Sequence, residues 1–226
     1  MMRLLLLETS GTVGRLGLAN DAEVLADAML DRGQRHARDL MPRCQELFVH
    51  QGWQPRDLDA IAVSMGPGSY TGLRVGVMTA KTLAYALSKP LLAIPTFSIL
   101  AQQCYAVDPD LSTLQVIGDG QQDRVYVQRY TSHTEASNLV IESGDAWRAS
   151  LVAGETVTGP GLVVQQAQLP SHVRVLPEAV WHPQLPAMLA LAARSFKLQQ
   201  FADPFSLEPL YLRVSAAEEQ WTAMGK

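Results

Sequence analysis

The sequence predicts an α/β fold of two lobes, with mixed sheets flanked by helices. Three observations carry this. Short apolar runs alternate with helical periodicities over the first half, in the order β-β-β-α-β-α-β-α. Pro and Asp then cluster in "DPDLST", residues 108–113, where the periodicity lapses. Beyond it, strand-like runs resume around a turn. The first lobe is placed at 1–107 and a smaller, degenerate one at 108–226, with its last helix free to return to the first.

The elements follow in order. "MRLLLLET", residues 2–9, reads as a buried strand. "VGRLGLAND" and "AEVLADAML" alternate loosely around Asn-Asp, which suits a tight turn and so a three-strand meander. Residues 34–50 place Leu40, Met41, Cys44, Leu47 and Phe48 at helical spacing, and Gly52 stops them. "LDAIAVSM" is a strand, 71–88 a helix, "PLLAIP" a strand and "FSILAQQCYAV" a helix. In the second half "LQVIGDG", "DRVYVQRYT", "NLVIES" and "HVRVLPE" read as strands. Residues 186–201 read as a helix with Pro in its first turn.

Composition narrows the function. The chain has 226 residues, 18 basic and 22 acidic, for a formal charge of −4. Neither half is a basic surface, which argues against autonomous nucleic-acid binding, since that needs clustered Lys and Arg. Two cysteines, Cys44 and Cys104, form no metal spacing and read as buried thiols of a reducing compartment. The apolar start is too short for a signal peptide, and no run reaches the roughly 20 residues of a membrane helix. A cytoplasmic protein is expected.

"GPGSYTGLR", residues 66–74, lies between a strand and a helix, where many α/β proteins hold a phosphate. It fails the fingerprints. A dinucleotide loop, GxGxxG, has Thr71 at its third glycine. A P-loop needs a Lys after its last glycine, and Lys81 lies nine residues past Gly72. The helix that follows is more informative. Gly72, Gly76, Ala80 and Ala84 recur every fourth residue and form one thin ridge. The remaining faces are apolar nearly all round, as in a helix buried on every side. Its own sheet covers one face. The other cover is helix 34–50, or a second protein.

These residues resemble a known family. "GPGSYTGLRVGVMTAKTLAYAL" is similar to the signature of the TsaB (YeaZ-like) family of bacterial tRNA threonylcarbamoyladenosine (t6A) biosynthesis. "LLLLETS" resembles the family's opening "ILAIDTS". "RHARDLMPRCQELF" resembles "HSERLLPLIDELL", with His36, Leu40 and Pro42 in place. "EPLYLR" resembles the closing "PxYLR". "DGQQDRVY" departs from "DARRGEVY" at Gln121 and Arg124. The match is strong over 1–104 and patchy after. The catalytic paralogue, TsaD, has a similar loop but holds a metal through "VNHLEGH". Here the two histidine positions are Thr96 and Leu100, and no HxxxH, HExxH or CxxC occurs.

The resemblance implies an actin/Hsp70/sugar-kinase-like fold and a non-catalytic subunit. It would pair with TsaD through the helices of its first lobe, and with the ATPase TsaE, for threonylcarbamoyl transfer to the adenosine beside the tRNA anticodon. ATP or ADP and metal would belong to the partners, and tRNA would be met only through the complex. No catalytic or metal residue is assigned. The expected pairing residues are His36, Leu40, Arg43, Leu47, Ser69, Tyr70, Thr71, Leu73, Arg74, Gly76, Val77, Ala80 and Lys81. Glu8, Thr9, Ser10 and Gly11 would be a vestigial phosphate site, Glu8 replacing the superfamily's Asp. "VTGPGLV", residues 157–163, is the one candidate remnant of an adenosine loop. In isolation, a homodimer through the same surface is plausible.

Two alternatives stand. One is a nucleotide-dependent phosphotransferase or hydrolase of the same superfamily. The other is a peptidase, for which Ser69 is the one tempting nucleophile. The run with Arg32, Arg35, Arg38 and Arg43 is a solvated helix face, with pairs such as Arg35 with Asp39, or a contact for a partner or tRNA.

Overall fold

The first strand, β1 (Leu4–Glu8), is buried at every position, as a strand covered on both faces must be. Its leucines divide between two cores, Leu5 and Leu7 on one side of the sheet, Leu4 and Leu6 on the other. This computed structural model describes residues 2–30, 36–132 and 134–212. β2 (Arg15–Ala19) and β3 (Val24–Met29) complete the antiparallel meander. Asn20 makes the turn between them, its Oδ1 accepting from the amides of Ala22 and Glu23 at 2.8 Å each.

α1 (His36–Gln51), β4 (Ala60–Gly66), α2 (Tyr70–Leu87), β5 (Leu91–Pro95) and α3 (Thr96–Val107) follow. β4 and β5 join β1 in parallel, giving the order β3-β2-β1-β4-β5. α1 and α2 both lie on the Leu5/Leu7 face, contributing Leu40, Cys44, Leu47, Val77, Ala80 and Ala84 to one core. α2 ends at Ser88, in the left-handed region with φ 52, which helix C-termini commonly use.

The second sheet has the order β10-β9-β6-β7-β8. It is built from β6 (Leu114–Asp119), β7 (Arg124–Tyr130), β8 (Val140–Ser143), β9 (Thr156–Thr158) and β10 (Arg174–Val175). The four strands read from the sequence are β6, β7, β8 and β10. α4 (Gly144–Ser150), β9 and the single turn α5 (Leu162–Gln165) are not among the elements expected from the sequence. α3 serves both halves: Ile99 packs under the first sheet, and Phe97, Leu100, Ala101 and Cys104 pack on the second.

The last helix, α6 (Leu185–Lys197), packs on the first sheet, with Leu185, Met188, Leu189 and Ala192 against Leu4, Leu6, Leu92 and Ile94. It stops short of the expected residue 201, because Leu198 closes it and Gln199 takes φ 54. Gln103 on α3 ties down the segment leading into it. Its Nε2 donates to the carbonyls of Val180 and His182, and its Oε1 accepts from Gln184 N. The layers are therefore α1 and α2, the first sheet, then α3 and α6.

Candidate partner-binding surface

The glycine loop is filled by the chain's own strand. A Cβ at Gly72 would fall on the Thr9 carbonyl oxygen, and one at Gly76 on the Thr9 hydroxyl. The glycines let α2 lie directly on the end of β1. Its first amides are also engaged. Ser69 N donates to Ser10 O at 2.7 Å, Gly72 N to Ser69 Oγ at 3.2 Å, and Leu73 N to Ser69 O at 2.8 Å. Ser69 is thus a helix N-cap, a role that occupies its hydroxyl oxygen.

The ridge faces inward, which corrects the expected pairing set. Leu73, Gly76, Val77 and Ala80 are buried, as are Leu40 and Leu47. Their contacts are with the first sheet, because a thin ridge lets a helix approach a sheet as readily as another helix. These six cannot present side chains to a partner. The expected residues that do reach the surface are Arg43, Ser69, Thr71 and Arg74, with Tyr70 and Lys81 half-buried. His36 opens α1, but its side chain, like Arg32 and Arg35, lies outside the described residues. Arg38 pairs with Asp39 at 2.6 Å, and Arg43 with Glu46 at 2.7 Å.

The outer faces of the same two helices carry large apolar side chains that stand outside the expected pairing set. Met41 is 47% exposed and Val49 76% on α1; Met78 is 54% and Tyr85 66% on α2. Met41, expected in the apolar stripe with Leu40, Cys44, Leu47 and Phe48, lies beside it and points outward. Met78 and Tyr85 share the face of Arg74 and Lys81 at i, i+3/i+4 and i+7 spacings. The C-terminal segment, residues 201–212, runs along α2 beside this face. Lys81 Nζ donates to Leu207 O at 2.7 Å, and Tyr211 stacks on Tyr70 with centroids 4.6 Å apart. Arg74 lies over the other contact ring, 5.4 Å from the Tyr70 centroid.

The expected vestigial phosphate residues form one turn after β1. Ser10 N and Oγ both donate to Glu8 Oε1, at 2.9 and 2.5 Å. Thr9 N donates to Ser64 Oγ at 3.2 Å, while Thr9 Oγ1 is buried without a partner. Burial pushes the Glu8 carboxyl above its ordinary value, against the Ser10 hydrogen bonds. Glu8 and Gly11 also line a cleft of about 410 Å³, together with Arg15, Glu178, His182 and Gln184. A carboxyl held toward its neutral form and already engaged by Ser10 fits poorly as a Mg²⁺ ligand, which must be ionised and open. Gly161 of the candidate adenosine loop packs on Gly118, and its amide donates to Ile117 O at 3.1 Å.

Among the described residues no group of three or more His, Cys, Asp or Glu side chains is placed to hold a metal. Nor, among the described residues, is any helix long and apolar enough to cross a membrane. Burial raises the Cys44 thiol to about 12 and Cys104 to about 11, which makes both poor nucleophiles.

The model of the TsaD family, described as tRNA N6-adenosine threonylcarbamoyltransferase, matches residues 30–151, more than half of the chain. The chain belongs to that family. Within it, the chain is TsaB/YeaZ-like. It is 26% identical to the "tRNA threonylcarbamoyladenosine biosynthesis protein TsaB" of Bacillus subtilis, over 97% of this chain and 98% of that one. The TsaB of Escherichia coli is 28% identical, over 96% of each. Among solved structures, YeaZ from Pseudomonas aeruginosa superposes with a TM-score of 0.79 at 24% identity, covering 94% of this chain and all of that one. An activator of 2-hydroxyisocaproyl-CoA dehydratase from Clostridium difficile, solved with bound ADPNP, gives 0.51 at 12% identity over 95% of this chain and all of that one. The TsaB/YeaZ-like chain therefore has the expected actin-like fold class.

Proposed function

We propose that the chain is a non-catalytic pairing subunit in the formation of t6A in tRNA. It would join a TsaD-type protein, with a TsaE-type ATPase docking on the pair, and nucleotide, metal and tRNA would be handled through those partners. The names of the full-length relatives support the pathway. One observation carries the pairing role: the α1–α2 layer that covers the first sheet turns Met41, Val49, Met78 and Tyr85 outward. Exposed aromatic and methionine side chains of this kind mark protein–protein surfaces.

The matching surface on the partner would be its own version of the layer. The residues that match the TsaD family model contain all of α1 and α2. Related layers can pair about a pseudo-twofold axis, as identical ones do about a true axis. The test is reconstituted t6A formation with purified TsaD-type and TsaE-type proteins. The wild-type chain should be required, and Met78→Glu should abolish its contribution while leaving its melting behaviour unchanged. Full activity without this chain would remove the reading.

The enzyme alternative has the cleft beside Glu8 in its favour. It requires Mg²⁺-dependent nucleotide turnover by the purified chain alone, lost in Glu8→Ala. Absence of such turnover is the expected result.

A further inference from the structure

Residues 201–212 have no regular secondary structure, yet they are fastened at both ends and in the middle. Ala202 N donates to Leu91 O at 2.8 Å, on the free edge of β5. Lys81 Nζ holds Leu207 O, and Leu210 N donates to Met65 O at 2.7 Å. Ala202 and Leu207 pack against the core under α1 and α2. The segment is a strap lying along α2.

Between these fixings the strap makes one outward turn. The Asp203 carboxylate accepts from Phe205 N at 3.0 Å and Ser206 Oγ at 2.8 Å. This turn presents Phe205, which is 76% exposed. The Phe205 ring meets Tyr85 edge-on, with centroids 5.4 Å apart. Two aromatic rings thus brace each other on the outer side of α2, although burying Phe205 inward would remove far more apolar area from water. Paired aromatics on a fixed backbone lose little conformational entropy on binding and are frequent interface anchors.

We propose that this strap is a built part of the pairing surface, and that Phe205, braced by Tyr85, is its anchor in the TsaD-type partner. The inference rests on the pairing reading above. The occupant follows from that match: the family model spans both α1 and α2, so a TsaD-type partner would present a related two-helix layer to the strap. The strap lies outside residues 30–151. It therefore adds to this chain's layer contacts that the shared stretch does not encode.

The experiment is calorimetric titration of the full chain against a TsaD-type protein, with light scattering of the free chain in parallel. Phe205→Ala should weaken pairing on the order of tenfold to a hundredfold, as loss of an interface anchor does. The thermal midpoint should stay unchanged, since the ring is mostly exposed. Asp203→Ala, which releases the turn, should weaken pairing in the same direction. A photo-crosslinking residue at position 205 should capture the partner, which tests the contact even in a variant that folds poorly. Wild-type affinity in Phe205→Ala with no crosslink would overturn the inference while leaving pairing intact. Loss of self-association alone, with partner affinity unchanged, would also overturn it. Absence of pairing by the wild-type chain would remove the pairing reading itself.

Discussion

Thr9 occupies the space that Gly76 leaves by having no side chain. The Thr9 hydroxyl stands where a Gly76 Cβ would be, and it has no hydrogen-bond partner. Gly76→Ala should therefore cost about 1–3 kcal/mol through overpacking, offset in part by the better helix propensity of alanine. Thr9→Ala removes the clashing atoms and gives up no hydrogen bond. The double variant should recover much of the loss, a coupling of about 0.5–3 kcal/mol in urea denaturation. Strict additivity would contradict this contact.

Ala80 is fully buried against the first sheet. Ala80→Leu should lower stability by about 1–3 kcal/mol and leave partner affinity of the folded fraction unchanged. A variant that keeps wild-type stability but loses pairing would return the ridge to the interface.

Glu8 gives the fold a pH dependence of definite sign. Its folded-state value lies above the ordinary 4.5, because burial disfavours the charge. Below 4.5 both states hold the proton. As pH rises, the unfolded chain ionises first, so stability falls until the folded value is passed. Glu8→Gln keeps an oxygen for the Ser10 donors and has no charge to bury. Its advantage in thermal midpoint over wild type should widen as pH rises above 4.5 and level off once the folded-state value is passed. A constant difference would mean that Glu8 ionises freely in the fold.

Gln103 bonds three backbone groups of residues 180–184, which form part of the cleft wall and lead into α6. Gln103→Leu leaves Gln184 N without this partner, while Val180 O keeps Thr158 Oγ1 and His182 O keeps Gln184 Nε2, so it should cost about 1–3 kcal/mol in chemical denaturation. A neutral substitution would mean that water replaces the side chain at no cost.

The first half of the chain was readable because its signals are long. Four consecutive leucines mark β1, and α1 and α2 each span more than four turns. α4 has seven residues and anchors through one large side chain, Trp147, while β9 has three residues between Glu155 and Gly159. Such pieces are too short to show a period. The glycine–alanine ridge revealed close approach but not its object. Spacing fixes which side chains share a face, and only the fold decides whether that face meets a sheet, a helix or another protein. The strap was hidden for a related reason. Its attachments are backbone bonds to Leu91 and Met65 and a lysine bond to Leu207 O, none of which leaves a pattern in the residue types.

The outer α1–α2 surface is proposed to pair with a TsaD-type protein. The direct measurement is light scattering on a sizing column, with the chain alone, the TsaD-type protein alone, and the two mixed at micromolar concentration. A one-to-one species of summed mass is expected, and it should disappear with Met78→Glu on an otherwise folded chain. Two unshifted peaks in the wild-type mixture, with and without nucleotide, would contradict it.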